Sequence, residues 1–169
     1  MTEREEITQK AETELKNVRR VLWHWGRADR RIGELIEQIK LAHDRVNQLY
    51  ESIGGGRAMD GQPHGTTPGD PVMRAYERIE HVRELFAQEI AVCEDEMRQE
   101  QELKAAMHEA MQALKPVERE ILTLRYKGGH TWEYIGIMTH MDERTARRYD
   151  ESACMALGNR IVFGEIRRV

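Results

Sequence analysis

Five residues in one short stretch, Glu143, Arg144, Thr145, Arg147 and Arg148, carry the groups best suited to reading or gripping a polyanion. An arginine guanidinium can give two parallel hydrogen bonds to a guanine edge, and it can also neutralise a phosphate. At helical spacing Glu143, Arg144, Arg147, Arg148 and Glu151 fall largely on one side, while Ala146, Tyr149, Ala153 and Leu157 fall on the other. Arg144, Arg147 and Arg148 are therefore the expected main contacts to nucleic acid, with Glu143 and Thr145 near bases. Upstream, Thr131 and Trp132 stand at a helix start, where backbone amides and a hydroxyl can hold a phosphate. Arg125 and Lys127 can touch phosphate as well. The competing reading pairs the arginines with Glu143, Asp150 and Glu151 along a solvated helix.

Other chemistries find little support. The seven histidines (His24, His43, His64, His81, His108, His130 and His140) make no H-x-x-x-H or Cys/His cluster, so no metal is expected. His24 lies between Trp23 and Trp25 and reads as packing. Cys93 and Cys154 form no short motif, which suits a reducing cytosol. The glycines at 54–56 follow no strand and read as linker. No nucleophile–base set has supporting context, so neither a cofactor nor an enzyme is expected.

Three helices must position the arginine stretch. Pro116 suits a first turn, with Glu118 and Glu120 near its positive end, and Val117, Ile121, Leu122 and Leu124 give it an apolar face. Lys127-Gly128-Gly129 is expected to end that helix. Thr131 then caps a second helix from Trp132 to about Met138, in which Gly136 leaves room for close approach. After the turn Thr139-His140-Met141, Asp142 caps a third helix from Glu143 to Leu157 or a little beyond. Helix, short turn and arginine-faced helix make a helix-turn-helix, with the third helix entering the major groove.

These residues resemble region 4 of bacterial sigma factors. Pro116, Glu118, Arg119, Ile121, Leu122, Leu124, Arg125 and Tyr126 match its leucine-rich first helix. Thr131, Trp132 and Ile135 match the start of its second helix, with Tyr134 where an acidic residue is common. Asp142 stands at the usual serine cap, and Ala153 at the closing alanine. Nothing in residues 1–115 resembles the promoter-opening region 2. The chain is thus similar to small phage or prophage regulators of the ArpU and RinA type rather than to a complete sigma factor. The resemblance implies a DNA-binding transcription regulator in a bacterial host cytoplasm. It leaves two alternatives: a module docking on RNA polymerase or another protein, and a DNA-packaging protein like a phage terminase small subunit.

The first 115 residues point to an all-α scaffold. Charged residues make up 33% and aromatic ones 6% of the chain, a balance suited to long solvated helices. Apolar residues at Leu15, Val18, Leu22, Trp25, Ile32, Ile36, Ile39, Val46 and Tyr50 recur at heptad-like spacing, with Asp29 and His43 where a beat is skipped. A Gly/Pro-rich connector spans 53–71. A second helix starts near Asp70 or Pro71, with a seam including Val72, Tyr76, Ile79, Phe86, Ile90, Cys93, Met97, Leu103, Met107, Met111 and Leu114. The expected architecture is a long antiparallel, coiled-coil-like hairpin over 1–115 followed by a helix-turn-helix domain over 116–169. Residual apolar surface on the hairpin predicts a homodimer.

The net charge of −4 divides unevenly: residues 116–169 hold 9 Lys/Arg and 8 Asp/Glu, and residues 1–115 hold 17 and 22. The C-terminal part is the less acidic one but is not a basic patch, which counts against DNA binding. The polar start, MTEREEITQK, predicts no signal peptide, and no apolar run is long enough to span a membrane.

Overall fold

The chain is all-α. A computed structural model describes residues 3–54 and 71–161. Its helices are α1 (Glu3–Gly54), α2 (Pro71–Gln112), α3 (Pro116–Leu122), α4 (Trp132–Thr139) and α5 (Glu143–Ile161), with a π-helical turn at Thr123–Lys127. Residues 55–70, most of the expected connector, lie outside the described residues. Among the described residues no helix is long and apolar enough to cross a membrane.

Contacts divide the chain into two compact units: Met1–Arg31 with Gln99–Val169, and Ile32–Arg98. The sequence placed a boundary at Lys115–Pro116 instead. Packing does not separate there, because the segments on both sides of Lys115 share one core.

In the Ile32–Arg98 unit, α1 and α2 run antiparallel. The Cys93 thiol donates to Gln38 Oε1 at 3.6 Å, and the Tyr50 hydroxyl donates to Glu80 Oε1 at 3.0 Å. Among the described residues Leu35, Ala42, Ile79 and Cys93 are buried here. The expected seam was partly misplaced. Ile36 is 49% exposed and Leu35 takes its place inside, while Tyr50 and Tyr76 are also exposed in part. Along α1 the true inward positions include Ala28 and Ala42 beside Val18, Leu22, Trp25 and Leu35. Two helices close on an alanine more tightly than on a large side chain, so small residues serve as seam.

Among the described residues the other unit has two cores. One joins Val18, Leu22 and Trp25 of α1 to Leu103, Met107 and Met111 of α2, and to Leu122, Tyr126, Ala153, Cys154 and Leu157. Complete burial of Leu22, Leu122 and Leu157 contributes about 1.5–3 kcal/mol each. The second core is small: Ile121 of α3, Ile135 of α4 and Ala146 of α5, flanked by Val117, Leu124, Trp132 and Tyr149. Glu118 ties α3 to α5. It is buried, accepts the Lys115 backbone N–H at 3.1 Å and accepts the Ser152 hydroxyl at 3.2 Å.

The end of the first helix of the motif differs from expectation. The chain widens into a π-helical turn, closed by the Gly128 N–H on the Thr123 carbonyl at 3.0 Å. Gly128 stays right-handed, and Gly129 alone of the pair is left-handed, at φ 65°. Gly26 of α1 packs directly on this turn; a Cβ there would overlap the Tyr126 carbonyl oxygen.

Candidate nucleic-acid interface

The turn between α4 and α5 is short because both of its ends are closed by the chain itself. His140 is left-handed at φ 54°, and α4 ends in a paired cap: Met141 N–H to Gly136 O at 2.9 Å and His140 N–H to Ile137 O at 3.3 Å. Gly136 lets the turn fold back, since a Cβ there would stand 2.7 Å from the Met141 carbonyl oxygen. Asp142 begins α5: its Oδ1 accepts the Thr145 N–H at 2.9 Å, and its Oδ2 accepts the Thr145 hydroxyl at 2.7 Å. The Thr145 bonds hold the Asp142 carboxyl below its ordinary range. Thr145 is therefore engaged in the cap. Thr131 caps α4 in the same manner, its hydroxyl accepting the Tyr134 N–H at 3.3 Å.

On α5, Glu143, Arg144, Arg147 and Arg148 are all exposed. Arg147 pairs with Glu143 at 3.1 Å across one helical turn. Among the described residues no ion pair engages Arg144 or Arg148. Trp132 is half-buried between two cations: the Arg125 guanidinium lies 4.9 Å from its ring centroid and that of Arg147 lies 5.6 Å away. Arg125 also sits 5.4 Å from the Trp23 ring of α1 and donates to the His130 carbonyl at 2.8 Å. A stack Trp23–Arg125–Trp132–Arg147 thus runs from α1 through the π-helical turn and α4 to α5. Lys127 turns elsewhere, to Asp29 at 3.0 Å.

Asp150 is not on the outer face of α5. Its side chain is 1% exposed and meets the Arg19 guanidinium at 3.1 Å. Burial raises its carboxyl above the ordinary value, against the pull of Arg19. Cys154, one turn on, has its thiol pushed up to about 12 by burial and by Asp150, so it is an inert core thiol. With Asp150 turned inward, the exposed surface of α5 is less acidic than the sequence suggests. His24 also departs from simple packing: its Nε2 lies 2.9 Å from Glu100 Oε1. No local signal marks Arg19, Asp150 or Glu100, because each depends on a partner distant in sequence.

Residues 16–155 match the model of a family described as a protein of unknown function, DUF722. The chain belongs to this family. The DUF722 match takes in Arg19, Asp150 and every residue from Thr131 to Arg148. The description of DUF722 assigns no activity. No curated protein and no solved structure matches the chain.

Proposed function

We propose that the chain binds double-stranded DNA as a transcription regulator of phage or prophage origin, with α5 entering the major groove. The supporting observation is the outer face of α5. Arg144, Arg147 and Arg148 are exposed on a helix backed by its own small core and joined to α4 by a closed turn. A major groove about 12 Å wide admits such a helix, and guanidinium groups suit guanine edges and phosphates alike. The resemblance of the segment after Lys115 to sigma region 4 supports the same reading. On this reading Thr131, at the exposed start of α4, lies near a phosphate, and Trp132 acts by holding Arg147.

The test is selection of bound duplexes from random sequence, followed by shift assays with Arg144→Ala/Arg148→Ala. That variant should lose about 1–3 kcal/mol per specific contact. Equal binding by variant and parent at one salt concentration rejects the reading.

A second reading, docking on RNA polymerase or another protein, is favoured by the apolar surface of α4. Ile137 is 67% exposed, with Met138 and Tyr134 beside it. Capture of polymerase without salt-sensitive DNA binding selects that reading. Exposed Ile36, Leu41, Leu85 and Val92 support a homodimer through α1 and α2. A solution mass tests this, and a ring of eight or more subunits points instead to a DNA-packaging role.

A further inference from the structure

Between α1, α2, α3 and the π-helical turn lies an open groove of about 580 Å³, none of whose lining belongs to α5. Its charged lining is of one sign. Lys104 comes from α2, Arg119 from α3 and Lys127 from the π-helical turn, and no carboxylate lines it; His108 of α2 stands among them. In a chain with a net charge of −4, three elements therefore bring cations together. The floor is apolar: Trp25 and Met111 are each 6% exposed, and the Lys127 ammonium lies 5.1 Å from the Trp25 ring centroid.

Asp29 shows what this groove accepts. Its carboxylate, at the rim, takes ion pairs from both Lys104 and Lys127, which belong to different elements. Those two bonds hold its carboxyl below the ordinary range. The other end is open. Arg119 donates to Gln112 Oε1 at 3.2 Å, and no carboxylate meets its guanidinium among the described residues.

We propose that this groove binds an acidic segment of a partner protein, one that alternates carboxylates with apolar side chains. The carboxylates would meet Arg119 and, in exchange for Asp29, the lysine pair, and the apolar side chains would lie over exposed Ala105 and the alkyl stems of Lys104 and Lys127. A concave site of this size suits a peptide and excludes the convex body of a duplex. Single-stranded nucleic acid would need an exposed aromatic face for stacking, which Trp25 does not offer. The proposal is independent of the DNA-binding reading.

The full chain is titrated against a fluorescein-labelled Glu-Leu-Glu-Ala repeat peptide by anisotropy, beside its Gln-for-Glu counterpart and a labelled oligo-dT. The acidic peptide binds, weakening as salt rises, and the Gln peptide binds at least about tenfold more weakly. Lys104→Glu/Arg119→Glu lowers affinity at least about tenfold, and Lys104→Arg/Arg119→Lys restores it to within roughly threefold. Asp29→Asn strengthens binding, because the internal competitor is gone; a purely structural role for Asp29 predicts the reverse. Circular dichroism checks folding. If the double reversal unfolds, the single variants Lys104→Ala and Arg119→Ala replace it, each weakening binding roughly threefold. Arg144→Ala/Arg148→Ala keeps full peptide affinity whether or not it loses DNA. Absence of binding by the acidic peptide, equal binding of the Gln peptide, indifference to the groove variants, or tighter binding of oligo-dT each overturns the proposal.

Discussion

The Asp150 carboxylate of α5 lies 3.1 Å from the Arg19 guanidinium of α1, joining positions 131 residues apart in the chain. The pair is asymmetric: the Asp150 side chain is 1% exposed, and that of Arg19 is 43% exposed. Removing Arg19 strands a buried carboxylate, while removing Asp150 leaves an arginine that can turn to water.

Arg19→Met should therefore destabilise by about 3 kcal/mol, the lower end of the range for a broken buried pair, and Asp150→Asn by less. The pH dependence follows from the raised carboxyl of Asp150. The folded state keeps the proton to a higher pH than the unfolded chain. Stability linked to this group is fully present below the unfolded value of 3.8 and is lost as pH rises through the folded value. Arg19→Met steepens that loss. Urea unfolding at pH 4 and pH 7 checks it, and an equal deficit at both pH values contradicts the account.

Gly26 and Gly33 lie in the same helix and should respond oppositely to alanine. At Gly26 a Cβ overlaps the Tyr126 backbone, which cannot yield as a flexible side chain would; at Gly33 nothing stands within 4 Å. Gly26→Ala should cost about 1–3 kcal/mol despite its better helix propensity. Gly33→Ala should gain about 0.5–1 kcal/mol. Thermal melts of the two variants decide, and a shift of the same sign in both refutes the packing argument.

Asp142→Ala should lower the melting temperature by removing both Thr145 bonds from the start of α5. The carboxyl is depressed in the folded state, so its contribution is present above the ordinary value of 3.8 and is lost as pH falls through the folded value. The gap between variant and parent closes on acidification. A gap that stays constant down to strongly acidic pH would show that the cap does not act through its charge.

Trp132 separates positioning from contact. Its ring lies under Arg147 and beside Arg125, so Trp132→Ala should weaken DNA binding by roughly threefold to tenfold, and Trp132→Phe should recover most of it. If Trp132→Ala weakens binding just as much in an Arg147→Ala background, the ring does not work through that arginine.

Sequence alone determined the local punctuation and the outer face of α5. Pro116, Thr131 and Asp142 start helices where their side chains and rings dictate, and the spacing of Arg144, Arg147 and Arg148 against Ala146, Ala153 and Leu157 placed the arginines outward. Those features depend on neighbours within a turn or two of the chain. Tertiary packing alone decided the rest. Leu35 and not Ile36 entered the seam, with Ala28 and Ala42 beside it, because periodicity gives a direction on a helix but not how closely its partner approaches. The π-helical turn exists against Gly26, and Asp150 turned inward to meet Arg19 and Cys154. A carboxylate on a polar-looking helix reads as solvated until a distant arginine is brought within hydrogen-bonding reach, and nothing local encodes that meeting.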